Sequence, residues 1–171
     1  MKIIIVGCGR FGQTLAEKLV ADKNDVTVID LSADKIRHVT SRCDVMGVIG
    51  NGATHAVQQE AGISTADLFI AVTDSDELNL LCCMVAKKEG DCQTIARITN
   101  PEYSEESLYL QNELGLAMVI NPEYAAAEEI ARVIRFPSAI KIEPFEKGQV
   151  ELIKFRLSPE GQLAGYKFAQ K

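Results

Sequence analysis

The chain has 171 residues, of which 47% are hydrophobic and 25% are charged, and its formal net charge is −6. That length has room for one hydrophobic core and the start of another. The acidic balance argues against a nucleic-acid partner, because phosphate binding needs clustered Lys and Arg. No apolar run reaches the about 20 residues that span a bilayer, and the amino terminus lacks the features of a signal peptide. We therefore expect a cytoplasmic protein that does not itself insert into a membrane.

The five cysteines are odd in number and scattered among apolar neighbours. This pattern is typical of buried, reduced thiols in a cytosolic protein. The cysteines do not have the spacing of metal ligands, and only His38 and His55 are available to complete a metal site. The sequence predicts no metal.

The first 120 residues alternate short, continuously apolar runs with helical patterns. Such runs are typical of parallel strands that are buried on both faces of a sheet. The predicted strands are 2–6, 25–30, 44–50, 67–72, 93–98 and 117–120. Between them, apolar side chains recur at the spacing of a helix that covers the sheet.

Signals for helix starts and ends support this alternation. Ser32 and Ser104 stand where N-cap residues belong, and Gly90 and Gly115 stand where helices should end. Alternating strands and helices indicate right-handed crossovers between parallel strands. We therefore predict an α/β fold over 1–120, a Rossmann-like doubly wound parallel sheet of six strands.

The pattern changes after this region. Residues 121–136 predict one more helix, with Pro122 near its first turn. Its apolar residues extend around so much of the circumference that we expect it to pack against two surfaces. The stretch 139–157 predicts two strands joined by a hairpin turn. We expect 137–171 to comprise this hairpin and the truncated start of a C-terminal domain.

The motif GCGRFG follows the first predicted strand and opens the first predicted helix. In that context Gly7 allows a tight turn, Gly9 lets a pyrophosphate approach the backbone, and Gly12 lets helix and strand pack closely. The helix N-terminus offers free N–H groups and a partial positive charge to phosphate. Arg10 adds a full positive charge to the same loop. These features predict a nucleotide site.

An acidic residue stands where such a site needs one. Asp30 ends the second predicted strand, 18 residues after Gly12. A carboxylate there accepts hydrogen bonds from a ribose diol and repels a 2′-phosphate. The sequence therefore favours an adenosine ligand and disfavours NADP.

Polar residues also follow the other strands, at the edge of the sheet where ligands bind. GNGAT (50–54) follows the third strand, and its glycines would permit close approach of a base or ribose. The acids of TDSDELN (73–79) either contact the ligand or only cap the following helix. Arg97 either points into the crevice or pairs with an acid of a neighbouring subunit, since buried parallel strands rarely carry charge.

Groups for catalysis are harder to find. A dehydrogenase needs a second surface for its substrate and a proton donor or acceptor. His38 and His55 fall in helical patterns away from the crevice, and no substrate domain is evident after residue 136. Binding without catalysis is favoured. Two alternatives remain, an NAD-dependent oxidoreductase lacking its catalytic domain and a dimerisation module whose glycine loop binds nothing.

Several segments together resemble a known family. The chain is similar to the TrkA N-terminal, or RCK, domain over most of 1–140, in GCGRFG, Asp30, GNGAT, TDSDELN, ARITNPEY (96–103) and INPEYAAAEEIARVIRFPSAI (120–140). The resemblance implies a cytosolic regulator that gates a K⁺ transporter or channel by binding NAD(H), ATP or ADP, with no enzymatic activity. It further implies a homodimer, or a ring of such dimers, that exchanges the helix at 122–135, and a membrane K⁺ transporter subunit as partner.

The resemblance also implies roles for individual residues. The cofactor-binding residues it predicts are Gly7, Gly9, Arg10, Phe11, Gly12, Asp30, Leu31, Asn51, Gly52, Ala53, Thr73, Asp74, Glu77 and Arg97. The glycine loop would hold phosphate and Asp30 the adenosine ribose, while Gly52 and Ala53 would line the adenine. Thr73 and Asp74 would lie by the phosphates or the second ribose.

The remaining roles concern the supporting residues and one departure from the family. By the resemblance, Arg10 reaches terminal phosphates, Glu77 and Asn79 support the site, and Arg97 lies near the ligand and the dimer seam. Asn51 stands where many members have Asp. We expect the loss of that carboxylate to weaken one contact near the adenosine.

Overall fold

The structure, a computed structural model, describes residues 1–136, 139–145 and 150–156. It divides into two compact units, Met1–Pro122 and Glu123–Lys171. All of the residues predicted to bind a nucleotide belong to the first unit.

The first unit is built on a six-stranded sheet in the order β3-β2-β1-β4-β5-β6, and every neighbouring pair is parallel. This arrangement confirms the predicted Rossmann-like sheet. The predicted strands are correct in number, and four of them are shorter than predicted at one or both ends. The strands are β1 (Lys2–Val6), β2 (Asp25–Asp30), β3 (Met46–Ile49), β4 (Leu68–Ala71), β5 (Gln93–Arg97) and β6 (Met118–Ile120).

Helices connect the strands. They are α1 (Arg10–Ala21), α2 (Ala33–Thr40), α3 (His55–Glu60), α4 (Asp76–Glu89), α5 (Pro101–Glu105) and α6 (Ser107–Glu113), with a 3-10 turn at Ile63–Thr65. Three of the predicted signals are confirmed. The Oγ of Ser32 accepts a hydrogen bond from the backbone N–H of Lys35, Gly90 follows the last residue of α4, and Gly115 adopts a left-handed φ of 63° after α6.

The predicted N-cap at Ser104 is wrong, because Ser104 lies inside α5. The helical region starts earlier, at Pro101, whose fixed φ suits the first position of a helix. Asn100 precedes it and its Oδ1 accepts a hydrogen bond from the N–H of Glu102 at 3.0 Å. A second helix, α6, then begins after Glu106.

Alternate residues of each strand face opposite layers of helices, and this alternation produces a core on each face. On β1, Ile4 belongs to the core with α3 and α4, while Ile5 belongs to the core with α1 and α2. Phe69 and Ile29, on two other strands, are fully buried in the first core. Burying an aliphatic or aromatic side chain of this size stabilises a fold by about 1.5–3 kcal/mol, so the sheet is a rigid base for the loops at its edge.

All five cysteines are unpaired, as predicted, and four of them are buried. Burial raises the pKa of Cys8 and of Cys82 to about 12, and it also raises the pKa values of Cys83 and Cys92.

At pH 8 we expect iodoacetamide to modify the partly exposed Cys43 first, because the thiolate is the nucleophile. The other four thiols should react only after unfolding, as counted by mass spectrometry. Fast modification of Cys8 in the native chain would contradict this burial.

The second unit contains a helix and a hairpin. Helix α7 (Pro122–Arg135) confirms the predicted helix, and its apolar side chains Tyr124, Ile130 and Ile134 are exposed. Strands β7 (Ala139–Phe145) and β8 (Val150–Phe155) pair antiparallel, as predicted. The predicted turn at 146–149 and the stretch from 157 onward lie outside the described residues. Across the part of the chain that the structure describes, no helix is long and apolar enough to cross a membrane.

Candidate nucleotide-binding site

The glycine loop has the geometry that its spacing predicts. Gly7 has a left-handed φ of 103°, and a Cβ there would lie 2.8 Å from the carbonyl oxygen of Val72. A Cβ on Gly12 would lie 1.9 Å from the carbonyl oxygen of Gly7. A Cβ on Gly9 would meet no atom within 4 Å. Two of the glycines are therefore required by packing within the chain, whereas Gly9 borders open space that a ligand could occupy.

Helix α1 presents its N-terminus to this open space. Gly9 is its N-cap residue and has no side chain to accept a hydrogen bond, and the first turn holds no acidic residue. The N-terminal N–H groups and the partial positive charge of the helix are thus available to an anion. Arg10 and Phe11 lie at the start of this helix and are exposed. The arrangement suits a phosphate or pyrophosphate group.

Asp30 connects the glycine loop to the end of β2. Its Oδ2 accepts a hydrogen bond from the N–H of Cys8 at 2.7 Å, and its Oδ1 accepts one from the N–H of Ser32 at 2.8 Å. The Nζ of Lys35 lies 3.7 Å from Oδ2. Each carboxylate oxygen keeps a second lone pair, and the side chain is 10% exposed. The carboxylate can therefore position the loop and still accept hydrogen bonds from ribose hydroxyls.

The glycines after β3 allow close packing against the chain itself. A Cβ on Gly50 would lie 2.5 Å from Cγ2 of Val57, and a Cβ on Gly52 would lie 2.4 Å from Cγ1 of Val6. These glycines let the loop pack against side chains of α3 and β1. The expectation that they also permit close approach of a base or ribose stays a prediction.

Asn51, by contrast, has a clear local function. Its Oδ1 accepts a hydrogen bond from the N–H of Ala53 at 3.0 Å, and its carbonyl oxygen accepts one from the hydroxyl of Thr54 at 2.8 Å. A turn of this kind needs only one side-chain oxygen as acceptor. An amide therefore supports the same loop conformation as the carboxylate found in many members of the family that the sequence resembles.

A buried amide joins the ends of β4 and β5. The side chain of Asn79 is fully buried, and its Oδ1 accepts hydrogen bonds from the N–H of Thr73 at 2.8 Å and from the Thr73 hydroxyl at 2.7 Å. Its Nδ2 donates to the carbonyl oxygen of Arg97 at 2.9 Å. Two predicted site residues, Thr73 in the loop after β4 and Arg97 at the end of β5, are thereby held by a single side chain.

Asp76 is not the N-cap of α4, and its contact with a ligand stays a prediction. Ser75 is the N-cap of α4, and its Oγ accepts a hydrogen bond from the N–H of Leu78 at 3.1 Å. Asp76 is 8% exposed, and its Oδ2 accepts from the N–H of Thr99 at 2.9 Å and from that of Asn100 at 2.7 Å. The carboxylate holds the loop that follows β5.

Glu77 lies at the surface and contacts the next helical segment. Its Oε1 accepts a hydrogen bond from the hydroxyl of Tyr103 at 3.2 Å, and its Oε2 accepts one from the Oγ of Ser75 at 3.0 Å. A hydrogen bond from its own backbone N–H, with these two side chains, lowers the pKa of the Glu77 carboxyl. Glu77 is therefore an ionised anchor for α5, and Tyr103 is a participant that sequence analysis did not single out.

The carboxyl edge of the sheet brings the remaining predicted residues together. Leu31 is 70% exposed directly after β2, Asp74 is exposed after β4, and Arg97 is half-buried at the end of β5. Both alternatives for Arg97 stay predictions. His38 lies on α2, and His55 is the first residue of α3, directly after the loop that follows β3. Among the described residues, no cluster of His, Cys, Asp or Glu could hold a metal ion.

Sequence reasoning missed two supporting amides. The Nε2 of Gln13, on α1, donates to the carbonyl oxygen of Cys8 at 2.8 Å within the glycine loop. The Nε2 of Gln58, on α3, donates to the carbonyl oxygens of Gly52 and Cys82. No spacing rule marks either residue, because the partners are backbone carbonyls that only the fold brings near.

Curated proteins of similar sequence match almost the whole chain. The Trk system potassium uptake protein trkA homolog 1 of Methanosarcina mazei is 38% identical over 172 residues, which cover 96% of this chain and 42% of that protein. The chain spans about two fifths of the length of the curated relatives it matches.

Two solved structures have a similar fold. The TrkA-N domain of the inner membrane protein ybaL from Escherichia coli has a TM-score of 0.69 and 26% identity, and the match covers 78% of this chain and 96% of that one. The GsuK channel bound to NAD has a TM-score of 0.60 and 22% identity, with 70% of this chain and 21% of that one covered. The family model of the TrkA-N domain matches residues 3–122, from the first strand to the start of α7. The chain belongs to the TrkA-N domain family.

Proposed function

We propose that this chain is the nucleotide-sensing part of a regulatory subunit that gates a membrane potassium transporter, and that it binds NAD(H) or ATP/ADP without enzymatic activity. The observation that carries the proposal is the open space at Gly9, bordered by the uncapped N-terminus of α1 and by Asp30. Its relatives are named as Trk system potassium uptake proteins, and a structural neighbour is a channel bound to NAD. Both names are consistent with a sensor.

The proposed mechanism is a shift between conformations. Under it, the nucleotide contacts the ends of β1, β2, β4 and β5, with its phosphates next to Arg10. Two ligands that differ in phosphate charge then favour different arrangements of a homodimer, or of a ring of dimers, formed through α7. Only such a difference in affinity between states can change the activity of a transporter. The exposed apolar side chains of α7 support its role in pairing.

The proposed location is the cytoplasm, at the inner face of the cell membrane through the transporter subunit. The acidic net charge of the chain and the scattered pattern of its cysteines are consistent with that location. Nucleic acid is not a proposed partner.

Calorimetric titration of the chain with NADH, NAD, ADP and ATP in parallel tests the proposal. We expect saturable binding, with affinities that differ by phosphate number or by the redox state of the nicotinamide. Flat titrations with all four ligands at millimolar concentration would contradict the proposed function and favour a dimerisation module. Substrate turnover with NAD by the full-length protein would favour the oxidoreductase instead.

Replacing Arg10 with alanine should alter discrimination among ligands and leave the adenosine contacts intact. Arg10 is exposed at the first position of α1, where its charge adds to that of the helix N-terminus. We expect Kd for ATP to rise by about tenfold, as an exposed charge contact of about 1 kcal/mol or slightly more would predict, and Kd for NAD to change less. Lys18→Ala, in the last turn of the same helix, is the matched control. An equal loss of affinity for every ligand would exclude this role.

A further inference from the structure

We propose that the buried amides of Gln58 and Asn79 are positioning residues, each of which holds a different half of the nucleotide site. The inference rests on the proposed function. It adds Gln58 to the residues that support the site, and it assigns Asn79, which the resemblance already implies as a supporting residue, to one half of that site. Both amides are fully buried, and both connect a loop at the carboxyl edge of the sheet to helix α4.

Gln58 holds the half next to β3. Its Nε2 donates one hydrogen bond to the carbonyl oxygen of Gly52 at 2.7 Å and another to that of Cys82 at 3.0 Å. Gly52 belongs to the loop that the Asn51 turn shapes, and Cys82 lies on α4. The loop after β3 is therefore fastened to α4 through one side chain from α3.

Asn79 holds the half next to β4 and β5. The hydrogen bonds of its amide all go to residues at or just after the ends of these two strands. Its Oδ1 accepts from the N–H and the hydroxyl of Thr73, and its Nδ2 donates to the carbonyl oxygens of Thr73 and Arg97. The loops after β4 and β5 are thus fastened to α4 through a residue of α4 itself. Asp76, three residues earlier, strengthens the second attachment.

The strand order separates the two halves. The glycine loop follows β1 at the centre of the sheet, with β2 and β3 on one side and β4 and β5 on the other. In a doubly wound sheet each side binds one mononucleotide of a dinucleotide. Asp30 on β2 assigns the adenosine to the side that Gln58 supports. The side that Asn79 supports is left for the second mononucleotide.

The side chain of Gln58 contains a buried polar atom that has no hydrogen-bond partner among the described residues. The presence of a glutamine at this position is therefore not explained by stability alone. Its Oε1 is buried and, within the described part of the chain, accepts no hydrogen bond. An unsatisfied acceptor in a dry interior is unfavourable, and an apolar side chain of similar size would avoid it. The amide supplies two directed hydrogen bonds, which an apolar side chain cannot, and one of them fixes the loop carbonyl of Gly52.

The experiment compares the affinities of the full chain for AMP and for NAD. Gln58→Met removes both donated hydrogen bonds, and we expect Kd for AMP and for NAD to rise together, by about tenfold, since both ligands contain adenosine. Asn79→Asp keeps the acceptor for the N–H of Thr73 and places a second oxygen opposite the carbonyl of Arg97. We expect Kd for NAD to rise by about tenfold and Kd for AMP to change less than about twofold.

Controls separate positioning from general destabilisation. Gln59→Met changes the exposed neighbour of Gln58, and Ile63→Val removes one methylene from a fully buried side chain far from the site. Neither control should raise Kd for AMP or for NAD by more than about twofold. Amide hydrogen exchange supplies a second readout, with faster exchange at 50–54 in Gln58→Met and at 73–75 in Asn79→Asp, even if a variant is too unstable to titrate.

The outcomes are distinct. Absence of binding by the unmodified chain would overturn the proposed function and this inference with it. Binding by the unmodified chain would leave the proposed function standing if both Kd values are unchanged in Gln58→Met, the ratio of Kd for NAD to Kd for AMP is unchanged in Asn79→Asp, and exchange rises uniformly. That result would reduce both amides to packing residues and overturn the inference alone.

Discussion

Replacing Asp30 with alanine is expected to abolish binding of NAD, ADP and ATP alike. The carboxylate is 10% exposed at the end of β2 and has a free lone pair on each oxygen for a ribose hydroxyl. Hydrogen bonds to a charged group contribute about 1.5–3 kcal/mol each. Two of them correspond to a rise in Kd on the order of 10² to 10⁴-fold, which calorimetry would register as a loss of measurable binding.

The same substitution also releases the glycine loop, because Asp30 accepts a hydrogen bond from the N–H of Cys8. We therefore expect a modest loss of stability, about 1–3 kcal/mol, which thermal unfolding without ligand would report. Asp34→Ala is the matched control, since Asp34 is an exposed acid in the next helix and pairs only locally with Arg37. Unchanged affinity in Asp30→Ala, with the control behaving normally, would rule out ribose recognition by this carboxylate.

Replacing Gly12 with alanine is expected to destabilise the fold strongly. A Cβ at this position would lie 1.9 Å from the carbonyl oxygen of Gly7, and a backbone atom cannot rotate out of the way. Alanine would otherwise favour the helix by about 1 kcal/mol, but overpacking of this severity costs about 3 kcal/mol or more. We expect the melting temperature to fall by roughly 6–12 °C, measured by circular dichroism.

Gly9→Ala is the matched partner of that variant. A Cβ on Gly9 meets no atom within 4 Å, and its φ of −69° suits any residue. We expect the melting temperature to stay within about 2 °C, while Kd for every nucleotide rises, because the methyl group occupies the space proposed for the pyrophosphate. An equal fall in melting temperature in Gly9→Ala and Gly12→Ala, or an unchanged nucleotide Kd in Gly9→Ala, would contradict the different roles assigned to these glycines.

Much of the fold follows from short-range features of the sequence. The apolar run of β1, the glycine loop and the first turn of α1 are consecutive, and each is specified by local sterics or by the period of a helix or strand. The left-handed φ of Gly7 and the tight packing of Gly12 are both consequences of that local turn. Asp30 also follows from sequence, because it occupies a fixed place at the end of the second strand.

Local signals fail where two of them compete. Ser104 is a good N-cap residue in isolation, yet Pro101 starts the helix three residues earlier, and the turn made by Asn100 completes that start. At Gly50 and Gly52, the side chains that lie against the missing Cβ are those of Val57 and Val6, which the spacing of the glycines does not indicate. A sequence shows that a side chain is missing, and only the fold shows what fills its space.

The apolar periodicity and the motif spacing are enough to predict a Rossmann-like sheet with a glycine loop, a helix N-terminus and an acid at one edge. How the loops around that edge are held depends on contacts between residues that are far apart in the sequence. Asn79 contacts a residue 18 positions away, and Gln58 and Asp76 each contact residues 24 positions away. Their partners are backbone groups, which every residue carries and no spacing distinguishes. Such contacts become specific only when the packed sheet and helix α4 bring one particular carbonyl or N–H within hydrogen-bonding distance.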